Sequence, residues 1–278
     1  MKSNELYLFS INVSDDYSLS RHFSNTFYMR RFIMELQLMN ERRHNKIYND
    51  ESYTYKIFNI DYDKKDVFQE AFITSKIEEL DAHAPLIDSV YKKDGQWCIK
   101  FDLIKGESLF SLINNNPENI EEYINKLVSI QTSIHTNFCT AIPRQKAKLQ
   151  YGIKNSGLDE STQFDLLEML DSSPKHKKLC HGNLTPHNII ISGNDYCVLD
   201  WNHASQGNAS ADIARTYIWF KINMPEYAEL YLDSFCNVTG TTKRYVNQWL
   251  PIVAAARIYK DNPEEFDILK SMIKVNEY

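Results

Sequence analysis

The chain has 278 residues, of which 43% are hydrophobic and 24% are charged, and its formal net charge at pH 7 is −6. This length is enough for two lobes that each bury a core, and the balance of residue types excludes an intrinsically disordered chain. The acidic balance argues against a nucleic-acid partner, because non-specific nucleic-acid binding depends on clustered lysine and arginine.

Targeting and redox signals point to the cytoplasm. Five cysteines are scattered along the chain without any C-x-x-C spacing. An odd number of isolated cysteines is not a disulfide framework, so we expect a reducing compartment. Residues 1–30 lack the apolar core of a signal peptide. No run approaches the roughly 18 consecutive apolar residues of a membrane span, so we expect no membrane partner.

Residues 1–104 are predicted to form a small β-rich lobe with one helix and an N-terminal extension. The predicted strands, in chain order, are Phe32–Met39, Lys46–Tyr48, Tyr53–Ile60 and Trp97–Leu103. Apolar residues with helical spacing occupy Asp66–Leu80. The first forty residues add either an extra strand or a dimer contact to this lobe. The sequence does not distinguish these two, and it does not give the oligomeric state.

Residues 105–278 are predicted to form a larger, mainly helical lobe, because apolar residues recur there at intervals of three and four. The predicted helices are Ile120–His135, Glu160–Leu170, Ala209–Lys221, Glu226–Asn237 and Lys243–Arg257. One β-hairpin, Asn188–Asp200, interrupts them. A β-rich lobe followed by a helical lobe is an α+β architecture.

Two charged residues of the first lobe lie on apolar faces. Lys56 is inside a predicted strand, and Glu70 is on the apolar face of the predicted helix. An unpaired buried carboxylate is strongly unfavourable, so Glu70 requires a cationic partner, and Lys56 is the candidate. Kinases use such a pair to position the α- and β-phosphates. Alternatively, the Lys56 side chain extends to solvent.

The predicted hairpin Asn188–Asp200 is the most informative segment. An apolar strand, a Ser-Gly-Asn-Asp turn and a second strand follow one another there. Pairing about Asn194 predicts that Asn188 faces Asp200, so that an amide oxygen and a carboxylate project from one end of the hairpin. Hard oxygen ligands suit Mg²⁺. We therefore expect Asn188 and Asp200 to bind Mg²⁺ and, with it, a nucleotide.

The loop before the hairpin, residues 181–187, contains glycine and proline and is predicted to be irregular. A phosphate acceptor would have to lie against this polar loop. Two other interpretations stay open, a plain surface hairpin and a zinc site. Zinc ligands would come from five nearby side chains that lack the usual spacing, Cys180, His181, His187, Cys197 and His203.

Several segments, in consistent order over about residues 45–260, resemble the aminoglycoside phosphotransferase and choline kinase-like family. His181–Asn188 is similar to its catalytic loop H-G-D-x-x-x-x-N, and Val198–Trp201 to its metal-binding I-D-W. Gly207–Thr216 resembles its G-D/N-P-x-x-D-x-A-R-T segment, and Phe101–Gly106 resembles the hinge that pairs with adenine. Residues 249–257 resemble a late helix of bacterial members.

The resemblance implies a bilobal protein kinase-like fold and an ATP- or GTP-dependent phosphotransferase that uses Mg²⁺ and acts on a hydroxyl of a small molecule. It implies that Asp212 supports the catalytic loop and that Asn183 and His181 stand at catalytic positions, although His181 is more often structural in this motif. The residues implied to bind the nucleotide are Lys56, Glu70, Asp102, Ile104, Asn188 and Asp200.

Asn183 departs from the family pattern, because the aspartate usual at this position accepts the proton of the substrate hydroxyl and an amide cannot. General-base catalysis contributes about 10²–10⁴-fold. Phosphoryl transfer depends largely on positioning and charge stabilisation, so an active enzyme is the first hypothesis. The second is a pseudokinase that binds nucleotide or a partner without turnover. The third is transfer of another group, such as adenylyl.

The acceptor is expected to lie against the helical lobe over Asn183. Family members that bind cationic substrates line this surface with carboxylates. A solvated helical face is the alternative interpretation of such residues. The candidates here are Glu226, Glu229, Glu264, Glu265 and Asp267.

Overall fold

The computed structural model describes residues 36–259 and 262–273, and these pack as two compact units. The first unit contains the described residues up to Asp63 together with Asp88–Leu103. The second contains Lys64–Ile87 and the described residues from Ile104 onward. The helix that the sequence assigned to the first lobe is thus grouped with the second unit, and the lobe boundary stays a prediction.

The first unit is built on a five-stranded sheet. Its strands are β1 Gln37–Glu41, β2 Asn45–Asn49, β3 Tyr53–Phe58, β4 Ile87–Lys93 and β5 Gln96–Asp102. Their order in the sheet is β1-β2-β3-β5-β4. The predicted hairpin is confirmed as β2 and β3, whose turn is closed by the Asp50 carboxylate accepting from the N–H groups of Ser52 and Tyr53, both at 2.7 Å. Of the predicted strand Phe32–Met39, residues 32–35 lie outside the described residues.

Strand β4 was not predicted from the sequence, although its turn carries a strong signal. Asp94 and Gly95 join β4 to β5 with φ values of 48° and 83°. Positive φ at both central residues is typical of a type I′ turn, which Asp-Gly favours. The polar composition of β4 concealed the strand, since Asp88, Lys92 and Lys93 break the apolar alternation.

The second unit contains ten helices among its described residues. They are α1 Lys64–Glu78, α2 Leu109–Asn115, α3 Ile120–Ile134, α4 Gln145–Lys154, α5 Glu160–Ser172, α6 Ala209–Asn223, α7 Ala228–Thr239, α8 Lys243–Asn247, α9 Leu250–Ile258 and α10 Phe266–Ser271. Their apolar faces share one core, in which Trp201, Phe220 and Tyr231 are the largest fully buried side chains. The predicted helices are confirmed to within a few residues, with one exception.

The single helix predicted at Lys243–Arg257 was wrong, because the chain forms two helices there. Helix α8 ends at Asn247, and α9 begins at Leu250 with Pro251 in its first turn. Proline has no N–H to donate and its ring clashes with the preceding turn, so it is tolerated at the start of a helix but not in its interior. The apolar spacing continued across the break and concealed it.

Short strands of the second unit hold the loops that matter for function. They are β6 Glu107–Ser108, β7 Lys178–Cys180, β8 Ile189–Ser192, β9 Asp195–Val198 and β10 Ser205–Gly207. One sheet has the order β6-β8-β9, and β10 pairs with β7. The pairing of Ser205 with Cys180 brings the start of the 181–188 loop beside the segment that leads into α6.

The described part of the chain contains no helix that is long and apolar enough to cross a membrane. All five cysteines are free thiols.

Candidate active site

The loop from His181 to Asn188 joins β7 to β8 and ends in a 3₁₀ turn, Pro186–Asn188. Gly182 adopts a φ of 76°, and a Cβ atom there would lie 2.4 Å from the carbonyl oxygen of His203. Only glycine fits, because other residues rarely adopt this φ and the neighbour is backbone. The loop therefore lies in close backbone contact with residue 203.

Replacing Gly182 by alanine tests this close contact. We expect Gly182→Ala to lower the free energy of unfolding by about 2 kcal/mol or more, since a left-handed non-glycine residue and overpacking each cost roughly 1–3 kcal/mol. Gly157→Ala is the matched control, because Gly157 has a φ of 72° with nothing within 4 Å of its Cβ position. Equal losses in the two variants, measured by urea unfolding, would contradict the contact with His203.

Asp212, in the first turn of α6, supports the loop from below. Its carboxylate is 1% exposed and accepts hydrogen bonds from the backbone N–H groups of His181 at 3.1 Å and Gly182 at 2.7 Å. His135 Nε2 lies 3.0 Å away. Burial alone would raise the pKa of Asp212, but the hydrogen bond and charge of His135 and the Gly182 N–H hold it below its usual value. The predicted supporting role of Asp212 is confirmed.

His181 links the loop to the end of the hairpin. The ring is fully buried, and its Nε2 lies 2.9 Å from the carbonyl oxygen of Leu199. Its Nδ1 accepts from the N–H of Asn183 at 3.2 Å. A carbonyl can only accept, so Nε2 carries the proton and the ring is neutral, in agreement with the lowering of its pKa by burial. This geometry favours a positioning role for His181.

The two asparagines of the loop are tied to each other. Asn188 is buried, and its Nδ2 donates to the backbone oxygen of Asn183 at 3.0 Å. The side chain of Asn183 is half-buried and makes no hydrogen bond to any residue in the described ranges. The backbone of Asn183 is thus held from two sides, while its side-chain amide takes no part in the loop's hydrogen bonds.

The predicted register of the hairpin was wrong by one residue. Ile189 pairs with Val198 and Ser192 with Asp195, so the turn is the two-residue loop of Gly193 and Asn194. Gly193 has a φ of 61°, which suits the first position of a type II′ turn. Asn188 consequently lies opposite Leu199 and not opposite Asp200. The N–H of Leu199 donates to the backbone carbonyl oxygen of Asn188 at 2.8 Å.

Asp200 stands just beyond the strand in a left-handed conformation with a φ of 69°. Aspartate tolerates this region better than most residues, yet such a conformation still costs roughly 1–2 kcal/mol. It persists because both neighbours are fixed. The Leu199 carbonyl contacts His181, and the buried Trp201 donates from Nε1 to the Val198 oxygen at 2.7 Å.

The other predicted nucleotide residues divide between the two units. In the first unit, Lys56 is 5% exposed on β3, with its Nζ 5.4 Å from the ring centre of Phe58, and Asp102 is exposed at the end of β5. In the second unit, Glu70 is 3% exposed on α1, and Ile104 is partly buried. Both charges are buried as the sequence suggested, and their pairing stays a prediction.

The five side chains considered as zinc ligands do not form a cluster of potential metal ligands. His187 is exposed and stacks on Phe110 with ring centres 3.7 Å apart. Among the described residues, the group of potential ligands that does come together is His135, Cys180 and Asp212. Asp212 is already committed to the loop, and burial raises the pKa of the Cys180 thiol well above its usual value. A protonated thiol is a poor metal ligand.

Two of the five carboxylates expected to receive a cationic acceptor are committed to ion pairs. Glu229 accepts from the Tyr217 hydroxyl and from Lys221 at 3.0 Å and Lys243 at 3.3 Å, and these partners hold its pKa at about 2. Glu265 binds Arg257 through two hydrogen bonds of 2.5 and 2.8 Å.

A cavity of about 460 Å³ adjoins the loop at Gly182 and lies within the second unit. Helices α4, α6 and α9 form its walls, and α4 approaches α9 closely because a Cβ at Gly152 would lie 2.9 Å from the Cα of Ala256. Cavities of this size accommodate small molecules. Its charged lining residues include Lys148 of α4 and Arg215 of α6.

This cavity and its lysine were not predicted from the sequence. Helix α4 was not predicted, because its only buried apolar side chains are Leu149 and Ile153. Their spacing of four, with Gly152 between them on the same face, was the available signal. Arg215 lies within the segment Gly207–Thr216, but nothing in the local sequence indicated that it faces a cavity.

Comparison with known proteins places the chain in a family. No curated protein matches the sequence significantly. Choline kinase LicA from Streptococcus pneumoniae is 15% identical, with a TM-score of 0.59 over 86% of this chain and 91% of that chain. A thermostable mutant of aminoglycoside phosphotransferase APH(4)-Ia, in ternary complex with ADP and hygromycin B, is 12% identical, with a TM-score of 0.63 over 87% of this chain and 94% of that chain.

A choline/ethanolamine kinase family protein from Mesorhizobium loti is 13% identical, with a TM-score of 0.55 over 87% of this chain and 89% of that chain. At these identities the similarities establish the protein kinase-like fold that the sequence predicted. The sequence model of the phosphotransferase enzyme family matches residues 102–247, more than half of the chain. The chain therefore belongs to the phosphotransferase enzyme family.

Proposed function

We propose that the protein transfers the γ-phosphoryl group of ATP or GTP, with Mg²⁺, to a hydroxyl of a small molecule. The observation that carries this proposal is the joining of the loop to the hairpin. His181 ties the loop to Leu199, next to Asp200, while Asn188 is tied to Asn183. The groups needed for metal binding and for acceptor orientation thus share one rigid element. Relatives of similar fold crystallised with ADP and hygromycin B, or with AMP, support a nucleotide and a small-molecule acceptor.

The proposed Mg²⁺ ligands are Asn188 and Asp200. The hydrogen bond from Asn188 Nδ2 to the backbone oxygen of Asn183 assigns the amide nitrogen, and the amide oxygen is the proposed ligating atom. The fixed left-handed backbone of Asp200 supports a carboxylate with a defined direction. Amide and carboxylate oxygens fit the preference of Mg²⁺, which when bound neutralises charge on the nucleotide phosphates. By the family resemblance, Lys56, Glu70 and the backbone at Asp102 and Ile104 are proposed to bind the nucleotide.

In the proposed reaction the acceptor oxygen forms a bond to the γ-phosphorus, and the bond from this phosphorus to the β,γ-bridging oxygen breaks. The products are a phosphate monoester, the nucleoside diphosphate and the hydroxyl proton. Asn183 orients the hydroxyl through its amide but cannot accept this proton, which passes to water. The reaction is therefore expected to be slower than with a carboxylate at this position.

Thermal unfolding with and without MgATP, followed by ATP consumption with amino sugars, amino alcohols and sugars, tests the proposal. We expect MgATP to raise the Tm and at least one acceptor to increase ADP formation. A Tm that does not respond to MgATP or MgGTP would refute nucleotide binding.

Asp200→Ala is expected to abolish the Mg²⁺-dependent part of the Tm increase, because it removes the only charged ligand of the proposed pair. Asp195→Ala is the matched control on the same hairpin, where the carboxylate is 79% exposed. The control should keep the full MgATP response. An unchanged Mg²⁺ dependence in Asp200→Ala would show that the metal binds elsewhere.

The second candidate function is a pseudokinase, and the observation that favours it is Asn183 itself. On this alternative the protein binds MgATP but consumes none with any acceptor. Binding without turnover in the wild type, together with turnover in Asn183→Asp, would select it.

A further inference from the structure

The cavity beside Gly182 is lined by two positively charged side chains. Lys148 and Arg215 enter it from α4 and α6, and each lacks a carboxylate partner within the described residues. Lys148 Nζ donates to the carbonyl oxygen of Ala204 at 3.0 Å, and Arg215 Nε is buried without a described acceptor. Both side chains are partly buried, and cations withdrawn from water normally pair with acidic groups, so two without such a partner in one cavity require an explanation.

The one carboxylate among the described lining residues, Asp212, partly opposes the lowering of the Arg215 pKa through its charge but forms no ion pair with either cation. Asp212 is occupied by His135 and the N–H groups of the 181–188 loop. Glu265 lies close enough to influence Arg215, but both of its oxygens are bound by Arg257. The acidic groups nearby are thus already engaged.

The two cations also repel each other. Burial, followed by the charge of Arg215, lowers the pKa of Lys148 to about 8. Burial, followed by the charge of Arg257, lowers the pKa of Arg215 to about 10. Lys148 remains mostly protonated at neutral pH, at a cost to stability that a bound anion would remove. Groups that oppose stability in the empty state are typical of binding sites.

We propose that the acceptor carries an anionic group, a carboxylate or a phosphate, which Lys148 and Arg215 bind while its hydroxyl lies over Asn183. This inference rests on the proposed function, because it names the substrate class of that site. It replaces the expectation of a cationic acceptor, whose carboxylate ligands were assigned by location alone. Arginine offers paired N–H donors to an oxyanion, and lysine adds a compact charge.

The first test needs no turnover. Thermal unfolding of the full chain without nucleotide is measured against increasing inorganic phosphate, at an ionic strength kept constant with chloride. We expect a concentration-dependent rise in Tm that is lost in Lys148→Met. Acetate in a parallel titration distinguishes carboxylate from phosphate recognition. No rise with either anion, or the same rise in Lys148→Met, would overturn the inference.

Two lysines serve as controls for this titration. Lys146→Met removes a lysine of the same helix that pairs with Asp171 at 2.8 Å and does not line the cavity. Lys56→Met removes a proposed nucleotide-phosphate ligand. Both should keep the anion response, whereas its loss in Lys56→Met would assign the phosphate to the nucleotide site. The Tm of Lys148→Met itself should not fall below that of the wild type, so a folding defect cannot imitate the result.

The second test measures ADP formation with acceptors that differ only in charge, glycerol against glycerate and glycerol 3-phosphate, with choline as the cationic member. We expect kcat/KM to be at least about tenfold higher for an anionic acceptor and to fall by a similar factor in Arg215→Gln and Lys148→Met. Preference for choline would overturn the inference and leave phosphoryl transfer in place. If the Tm does not respond to MgATP but still rises with phosphate in a way that requires Lys148, only the proposed function is refuted.

Discussion

Asn183→Asp is expected to raise kcat by about 10²–10⁴-fold, the usual contribution of a general base. The substitution exchanges an amide for a carboxylate of the same shape, and the Asn183 side chain makes no hydrogen bond to a described residue that would be lost. Its backbone is fixed by His181 and Asn188, so the new carboxylate occupies the position of the amide. The change should therefore appear in the rate and not in stability.

Initial rates of ADP formation at saturating acceptor, with the Tm measured in parallel, check this result. Asn183→Ser is the control, because it shortens the side chain without supplying a carboxylate, and it should gain nothing. If Asn183→Asp binds MgATP normally but turns over no faster than the wild type, proton acceptance at this position does not limit the reaction. ADP formation by Asn183→Asp, with none detectable in the wild type, would instead identify the wild-type protein as a pseudokinase.

Much of the fold and the loop could be predicted because they depend on local pattern. The hairpin of β2 and β3, the helix α6 and the glycine-bearing loop each carry their signal within a few residues. The position of Asp212 beneath the loop followed from a motif, and its hydrogen bonds agree. The same local reasoning failed at Pro251, where apolar spacing outweighed a proline that breaks the helix.

What escaped prediction depends on contacts between distant segments. The hairpin register depends on whether two or three residues form the turn. Because a three-residue turn was assumed, the predicted partner of Asn188 was Asp200, whereas the two-residue turn places Leu199 there. The cavity brings together Lys148, Gly182 and Arg215 from separate elements. On their own helices the two cations resemble solvated charges, and only tertiary packing reveals that both are partly buried in one cavity without a paired carboxylate among the described residues.

Asp212→Asn is expected to lower the free energy of unfolding by about 3–5 kcal/mol, because it removes one partner of a buried charged cluster. The amide keeps one accepting oxygen, whereas the carboxylate accepts from His181, Gly182 and His135. At least one buried donor is thereby left without a partner. The same donors define the start of the loop, so MgATP-dependent turnover should fall together with stability.

Urea unfolding at several pH values distinguishes this role from a general loss of charge. Since the folded-state pKa of Asp212 lies below its usual value, its stabilising effect is present above the unfolded pKa of about 3.9 and is lost as the pH falls through the folded value. The difference between wild type and Asp212→Asn should therefore shrink below pH 4. Asp233→Asn, which breaks a 2.7 Å surface pair with Lys243, should cost less than about 1 kcal/mol. Similar losses in both variants would mean that the 181–188 loop does not depend on the buried carboxylate.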